Sequence, residues 1–183
     1  TWLSELELSD SEDEMSKAWS MLKQSAKTTS SEQLSDEYQN LFIGIGRGEV
    51  VPFASWHLTG SLMEKPLAAI RQDLLKMGFE RNADTKEPED HIAALCEVMA
   101  MLNEYPMETQ RSFFNAHIAT WQHKLISQIE SAKSTQFYMS VASLMKAFFN
   151  YEQVSFVQAP VTAKPANKIE IKNIVDTEVN PSH

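Results

Sequence analysis

Apolar residues recur along most of this chain at steps of three and four, the spacing that places side chains on one face of an α-helix. The repeats fall in six stretches, at residues 15–26, 34–42, 63–77, 92–102, 114–129 and 137–148. Glycine and proline lie mainly between these stretches, where helices are expected to end. The pattern predicts an all-α protein, with a single compact helical domain of about six or more helices over residues 1–157.

The segment from Gly44 to Gly60 interrupts the helical pattern with closely spaced glycines that are followed by apolar and aromatic residues. Connections between helices are usually shorter and more polar than this segment. We therefore expect a functional loop that exposes an apolar surface. The side chains that would form this surface are Val50, Val51, Phe53 and Trp56.

The last part of the chain, residues 158–183, is expected to be an extended or partly disordered tail, because prolines and asparagines replace the helical repeat there. Ile169 and Ile171 alternate there with charged residues, which is typical of an extended segment with one covered face. We expect this extended tail to be docked on the helical domain rather than free in solution. The nearest apolar surface that the sequence offers is the loop at residues 50–56, so we expect the tail to lie against that loop.

Composition and charge narrow the choice of partners. The chain has 183 residues, of which 43% are hydrophobic and 22% charged, as in an ordinary globular domain. Its 16 Lys and Arg face 25 Asp and Glu, which gives a net charge of −9. This balance argues against nucleic acid as the main partner, because phosphates attract clustered basic residues, and it suits a basic partner. No stretch approaches the ~18 consecutive apolar residues of a membrane span, so we expect no stable membrane insertion.

Motifs for catalysis and metal binding are absent from the sequence. The single cysteine, Cys96, excludes an internal disulfide and lies in an apolar helical stripe, where we expect it in the core. The five histidines show no His-Glu-x-x-His or His-x-x-x-His spacing, so we expect no metal site. Neither Gly-x-Ser-x-Gly nor a catalytic cysteine context occurs. We therefore expect no catalytic residues, no enzymatic activity and no cofactor.

The glycines at Gly44, Gly46 and Gly48 invite comparison with a phosphate-binding loop. Their spacing differs from that of the dinucleotide fingerprint, a helical stripe precedes them, and no Gly-Lys-Ser/Thr is present anywhere. A tight or flexible turn is the better interpretation. Binding of a guanine nucleotide stays open as an alternative.

The sharpest local pattern is Glu87-Pro88-Glu89-Asp90-His91. Proline suits the first helical position, and acidic residues complement the positive end of the helix dipole, so the run predicts a helix that begins near Pro88. His91 fits such a start less well, because a protonated imidazole is disfavoured there. A neutral His91 beside carboxylates would be able to hydrogen-bond a partner. The pattern favours the structural interpretation and leaves the functional one open.

Three motifs, taken in order, resemble the TorD/DmsD family. They are Glu37-Tyr38 leading to Leu41-Phe42, Pro52-Phe53-Ala54-Ser55 after the glycines, and Glu87-Pro88-Glu89-Asp90-His91 at a helix start. Members of this family are all-helical, non-enzymatic chaperones of the cytoplasm. They are dedicated to molybdenum-cofactor oxidoreductases that are exported by the twin-arginine route.

The resemblance implies a system-specific chaperone for an immature molybdenum oxidoreductase. Such a chaperone binds the twin-arginine leader of its partner before export, in some members the body as well, and assists maturation and cofactor insertion. The resemblance nominates eight residues as the leader-binding site. They are Pro52, Phe53, Ser55, Trp56, His57, Glu87, Asp90 and His91. His57 stands where many members have an aromatic residue, and the usual opening helix of the family is expected upstream of Thr1.

The nominated residues fit the chemistry of a twin-arginine leader, which presents two guanidinium groups followed by an apolar segment. Glu87, Glu89 and Asp90 would supply carboxylates for charge-assisted hydrogen bonds, and the apolar loop would receive the apolar segment. A generic helical adaptor or oligomerisation module without leader specificity is the alternative, and a nucleotide-dependent enzyme comes third. Both a monomer and a domain-swapped dimer are compatible with the resemblance.

Overall fold

A computed structural model describes residues 2–8, 11–45, 47–81 and 85–158, with the backbone alone for Gln158. The α-helices in this part are α1 (Trp2–Glu5), α2 (Glu14–Thr28), α3 (Ser31–Tyr38), α4 (Ala54–Thr59), α5 (Lys65–Lys76), α6 (Ile92–Met101), α7 (Met107–His117), α8 (Gln122–Ser131) and α9 (Phe137–Gln158). A π-helical turn, Gln39–Ile43, continues α3, and a 3-10 turn, Leu102–Glu104, continues α6. The described residues contain no β-strand, so the predicted all-α fold is confirmed.

Side-chain caps define where the first long helices begin. The carboxylate of Asp13 accepts a hydrogen bond from the backbone N–H of Ser16 at 2.8 Å, at the start of α2. Ser30 and Gln33 form a reciprocal capping box at the start of α3, with N–H to side-chain distances of 3.2 and 2.9 Å. Each such cap stabilises a helix by about 1 kcal/mol, so local hydrogen bonds set where α2 and α3 begin.

The core lies between α9, the longest helix, and the helices that precede it. Helices α2 and α8 lie against α9, α7 contacts α5 and α6, and α4 contacts α5. Burial of one large apolar side chain contributes about 1.5–3 kcal/mol, so packing outweighs local propensity here. The largest fully buried apolar side chains are Leu41, Ile70, Leu95, Leu102, Phe114, Ile118, Trp121, Leu125 and Phe149.

The helix predicted over residues 114–129 is wrong in one respect, because the chain turns at residues 118–121 and separates α7 from α8. The fully buried Trp121 fixes this turn, since its indole Nε1 donates to the carbonyl of His117 at 2.6 Å.

The predicted loop at residues 44–60 also contains a helix, α4. The turn at residues 118–121 contains no glycine or proline, whereas α4 begins shortly after Pro52 and ends just before Gly60.

Two predictions about the start of α6 and its cysteine are also wrong. Helix α6 begins at Ile92 rather than near Pro88, because His91 is its cap and the preceding residues form a turn. Cys96 is exposed rather than in the core, since α6 directs its neighbour Leu95 inward instead.

The boundary of the helical domain after residue 157 stays a prediction. Helix α9 continues to Gln158, and the predicted tail beyond it lies outside the described residues. Among the described helices, none combines the length and the apolar composition that crossing a membrane requires.

Candidate functional site

The glycine-rich loop is held against the end of α8 and the turn that follows it. The carboxylate of Glu49 accepts hydrogen bonds from the backbone N–H of Lys133 at 2.6 Å and from the hydroxyl of Ser134 at 2.5 Å. The bond from Ser134, followed by that from Lys133, lowers the pKa of Glu49. The N–H of Val51 donates to Oε1 of Gln128 at 3.0 Å. The loop is therefore an integral part of the fold.

Gly48 is required by a close approach of two backbone segments. A Cβ atom at Gly48 would lie 2.4 Å from the carbonyl oxygen of Leu41. The same carbonyl accepts the N–H of Val50 at 2.7 Å, so the loop returns directly onto the π-helical turn. Glycine at this position thus allows the loop to dock.

The apolar surface expected at this loop is only partly formed. Val50 and Val51 are 1% and 6% exposed, so the expectation is wrong for both. Val50 belongs to the same buried core cluster as Leu41, and the backbone of Val51 is hydrogen-bonded to Gln128 of α8. Phe53 and Trp56 are half-buried and reach solvent. The expected docking of the tail on this loop concerns residues outside the described part of the chain.

The two nominated motifs meet in a short antiparallel bridge between Phe53 and His91. The N–H of Ala54 donates to the carbonyl of Asp90, and the N–H of Ile92 donates to the carbonyl of Pro52, both at 2.9 Å. The rings of Phe53 and His91 pack edge to face, with centroids 5.0 Å apart and an interplanar angle of 79°. Segments almost forty residues apart in the chain thus form one feature, which begins both α4 and α6.

Asp90 and Ser55 lie beneath this bridge rather than on the surface. Both are almost completely buried, with Asp90 1% exposed. Oδ2 of Asp90 accepts the backbone N–H of Ser55 at 2.9 Å, at the start of α4. The Ser55 hydroxyl in turn accepts the N–H of Glu64 at 3.4 Å. In this arrangement both side chains join α4 to its neighbours.

His91 caps α6 as a neutral imidazole. Its Nδ1 accepts the backbone N–H of Ala93 at 3.1 Å, which requires that nitrogen to be unprotonated. Burial lowers the pKa of His91, although the charges of Glu87 and Asp90 act in the opposite direction. A neutral ring that accepts at Nδ1 carries its proton on Nε2. His91 therefore offers one N–H donor beside the half-buried ring of Phe53.

His57 and Trp56 belong to α4 and have different surroundings. Nε2 of His57 donates to the carbonyl of Val51 at 2.7 Å, and its ring stacks on Trp121 at 5.3 Å between centroids. Burial lowers the pKa of His57, with the hydrogen bond to Val51 acting against it. The guanidinium of Arg47 lies 4.6 Å from the centre of the Trp56 ring, a cation–π geometry. The side chains of His57 and Trp56 are both half-buried.

Glu87 lies at a groove between α5 and α6, which we call the α5–α6 groove. Its volume is about 490 Å³, and it is lined by α5, by the segment that leads to α6 and by α6 itself. The floor is apolar, with Leu74, Phe79 and Val98, while Glu87 and Glu89 are among the carboxylates at its rim. At this groove a carboxylate of a nominated residue lies next to an accessible apolar surface.

Two arginines of the α5–α6 groove contact acceptors at its rim. Arg71 pairs with Glu89, with Nη2 and Nε lying 2.9 and 3.0 Å from the same oxygen, Oε2. Partial burial acts to raise the pKa of Glu89, but the hydrogen bond from Arg71, a backbone N–H and the charges of Arg71 and Arg81 together lower the pKa below its usual value. Arg81 donates from Nη2 to the carbonyls of Thr85 and Glu87, at 2.6 and 3.3 Å.

The structure therefore divides the nominated residues into three groups. Pro52, Phe53, Ser55, Asp90 and His91 come together at the bridge. Trp56 and His57 lie on α4, which follows the bridge, and Glu87 lies at the groove. Of the eight, the side chains that reach solvent are those of Phe53, Trp56, His57, Glu87 and His91.

Two features of this region are not apparent from the sequence. The buried carboxylate of Glu37 accepts the backbone N–H groups of Gln136, Phe137 and Tyr138 at 2.7–2.9 Å, and so caps α9. The second feature is the pair Arg71 and Arg81 in the α5–α6 groove. A helical acidic residue or an isolated arginine gives no signal about a partner far away in the chain.

Within the described residues, no group of His, Cys, Asp and Glu is arranged to hold a metal ion.

Comparison with known proteins defines the class to which this fold and its motifs belong. A family model described as nitrate reductase delta subunit matches residues 9–127, which is more than half of the chain. Chaperone protein TorD of Vibrio atlanticus (strain LGP32) is 30% identical over 130 residues, covering 63% of this chain and 60% of the relative. The probable Tat proofreading chaperone DmsD of Haemophilus influenzae is 27% identical over 115 residues, covering 62% and 57%.

A third relative, chaperone protein TorD of Actinobacillus pleuropneumoniae serotype 3, is 27% identical over 125 residues. That match covers 66% of this chain and 62% of the relative, so the chain spans about three-fifths of the length of the curated relatives it matches. The chain belongs to the TorD/DmsD family, and the resemblance seen in its motifs is confirmed.

Proposed function

We propose that this protein is a system-specific chaperone for a molybdenum-cofactor oxidoreductase exported by the twin-arginine route. It binds the twin-arginine leader of the immature partner in the cytoplasm, before export, and assists maturation and cofactor insertion. The observation that carries the proposal is its similarity to proteins named TorD and DmsD chaperones, one of them described as Tat proofreading.

The geometry of the chain supports leader binding in two ways. The α5–α6 groove combines an apolar floor with carboxylates at its rim, as a segment with guanidinium groups and apolar residues would require. Beside the bridge, Phe53 and His91 offer an aromatic face and an N–H donor. The net charge of −9 accelerates encounter with a basic segment.

Peptide titration tests this function. Fluorescently labelled leader peptides from several molybdoenzymes are titrated with the full chain, and polarisation reports binding. Each peptide has a matched control in which both arginines are replaced by lysines. We expect at least one leader to bind more tightly than its lysine control, because a planar guanidinium makes paired hydrogen bonds that an ammonium does not.

Two results would contradict the proposal. Equal binding of arginine and lysine peptides would favour a generic helical adaptor, and no binding of any leader would exclude leader recognition by this chain.

We also propose that the protein has no catalytic activity of its own. The support is the lack of nucleophile, metal and phosphate-binding motifs in the sequence. Pure protein incubated with GTP or ATP is expected to release no phosphate above a buffer blank. Sustained release that a substitution at Gly44 or Gly48 abolishes would overturn this expectation.

A further inference from the structure

The α5–α6 groove already contains two guanidinium groups of the protein itself. Arg71 forms an ion pair with the carboxylate of Glu89, and Arg81 donates hydrogen bonds to the carbonyls of Thr85 and Glu87. One carboxylate and two carbonyls at the rim are thus bound to internal arginines.

The two side chains of the ion pair between Arg71 and Glu89 differ in their exposure to solvent. The Arg71 side chain is 50% exposed, whereas that of Glu89 is 15% exposed. Arg71 can therefore move into solvent and be hydrated, while Glu89 stays in the wall of the groove. A carboxylate that is largely withdrawn from water needs a charged partner, so Glu89 favours replacement of one guanidinium by another over remaining unpaired.

The balance of charge at the rim also favours a basic occupant. Glu80, Glu87, Glu89 and Glu97 line the groove together with Arg71 and Arg81, so four carboxylates face two guanidinium groups. Within the described residues, Glu80, Glu87 and Glu97 make no ion pair. The groove therefore carries unpaired negative charge beside its apolar floor, which complements a segment that is basic and then apolar.

We propose that Arg71 is an internal competitor, which occupies the site of one leader arginine and is displaced from Glu89 when the leader binds. This inference rests on the proposed function. It adds a specificity-determining contact, because both Nη2 and Nε of Arg71 reach Oε2 of Glu89, and a lysine ammonium cannot reproduce that fork. The competitor lowers affinity for every ligand and so keeps the groove from binding weakly basic segments.

The test compares Arg71→Met with Lys76→Met by polarisation titration of a twin-arginine leader at physiological salt. Both substitutions remove one positive charge from α5, but Lys76 pairs with Asp73 and does not line the groove. Loss of the competing ion pair is expected to tighten leader binding about two- to fivefold in Arg71→Met, the range that corresponds to a partly exposed pair. Lys76→Met is expected to change affinity by less than about twofold, because salt screens distant charge.

A second pair of variants tests the role of Glu89 as the acceptor. Glu89→Gln is expected to weaken leader binding, and Arg71→Met is expected to give no gain when Glu89→Gln is already present. Melting temperatures of all variants are measured in parallel, so that a loss of folding is recognised.

The outcomes separate the inference from the proposed function. A wild-type chain that does not prefer arginine over lysine leaders contradicts the proposed function. If wild type does prefer arginine but Arg71→Met binds no more tightly than Lys76→Met, the competitor role is wrong. Weaker binding in Arg71→Met would also overturn it, and would make Arg71 a direct contact of the leader.

Discussion

The backbone N–H of Ser55 donates a hydrogen bond of 2.9 Å to the buried carboxylate of Asp90, which lies 35 residues further along the chain. This contact changes the interpretation of the acidic run before α6. The family resemblance nominated Asp90 as a contact of a partner, whereas in the structure its side chain holds the start of α4. Because Asp90 is buried, any role that it has in leader recognition comes from supporting the bridge above it.

Asp90→Ala is therefore expected to destabilise the protein. It leaves the N–H of Ser55 buried without an acceptor, which costs about 1–3 kcal/mol in the free energy of unfolding. Asp90→Asn keeps an acceptor oxygen and should lose less. Urea unfolding of the two variants, beside Asp36→Ala on the exposed surface of α3, measures the difference. Equal stability of Asp90→Ala and wild type would show that the contact does not support the fold.

Glu37→Ala is expected to be more damaging than Asp90→Ala, because one carboxylate serves three N–H groups at the start of α9. Hydrogen bonds to a charged group contribute about 1.5–3 kcal/mol each, and the carboxylate also complements the dipole of the helix. The control is Glu32→Ala, an exposed residue of the same helix α3. A loss no larger than that of Glu32→Ala, measured by urea unfolding, would contradict the capping role.

Acid is expected to destabilise the protein between pH 7.5 and 5.5. Burial lowers the pKa of both His57 and His91, whereas the unfolded chain keeps a value of about 6.5. The unfolded chain therefore takes up protons first as the pH falls, and stability that is present above about pH 6.5 is lost below it.

His91→Asn is the variant that tests this pH dependence, because asparagine caps a helix without titrating. Its urea midpoint is expected to fall less between pH 7.5 and 5.5 than the wild-type midpoint does. His123→Asn, at an exposed position of α8, should behave as wild type. If His91→Asn keeps the full wild-type slope, protonation of His91 is not the cause.

Gly48→Ala is expected to destabilise the loop more than Gly60→Ala. The new Cβ at Gly48 meets the carbonyl oxygen of Leu41 at 2.4 Å and backbone atoms of Phe42 at 2.5–2.7 Å, so the backbone itself must move. At Gly60 the φ of +84° strains an alanine, which costs about 1–3 kcal/mol, but nothing lies within 4 Å of the added atom. A lower melting temperature for Gly60→Ala than for Gly48→Ala would indicate that the loop relaxes around the new Cβ at Gly48 without penalty.

The helical class of this protein follows from its sequence because the apolar stripes are long and regular. The stripes of α2 and α6 coincide with their helices to within a few residues. The turn at Trp121 was not predictable, since it is stabilised by burial of an indole and by its bond to His117 rather than by glycine or proline.

The candidate site was predictable as a set of motifs but not as a geometry. The motifs that contain Pro52 and Asp90, taken in their order along the chain, indicated the TorD/DmsD family. The bridge between them joins two segments with no strand-like alternation, so nothing local indicated that Asp90 and Ser55 would be buried together. The exposure expected for Val50 and Val51 failed for a related reason, because the N–H of Val51 donates a hydrogen bond to Gln128, in a distant helix.

The contacts that hold the glycine-rich loop have a consequence for how the chain is made. Glu49 accepts a hydrogen bond from Lys133, which is synthesised 84 residues later, and Glu37 accepts one from Phe137, which is synthesised 100 residues later. Ribosomes add about 5–20 residues per second, so the first interval alone lasts on the order of 4–17 seconds. During that time the loop that carries Val50 and Val51 lacks the contacts from Lys133 and Ser134, and its apolar side chains are exposed to aggregation until those residues are made.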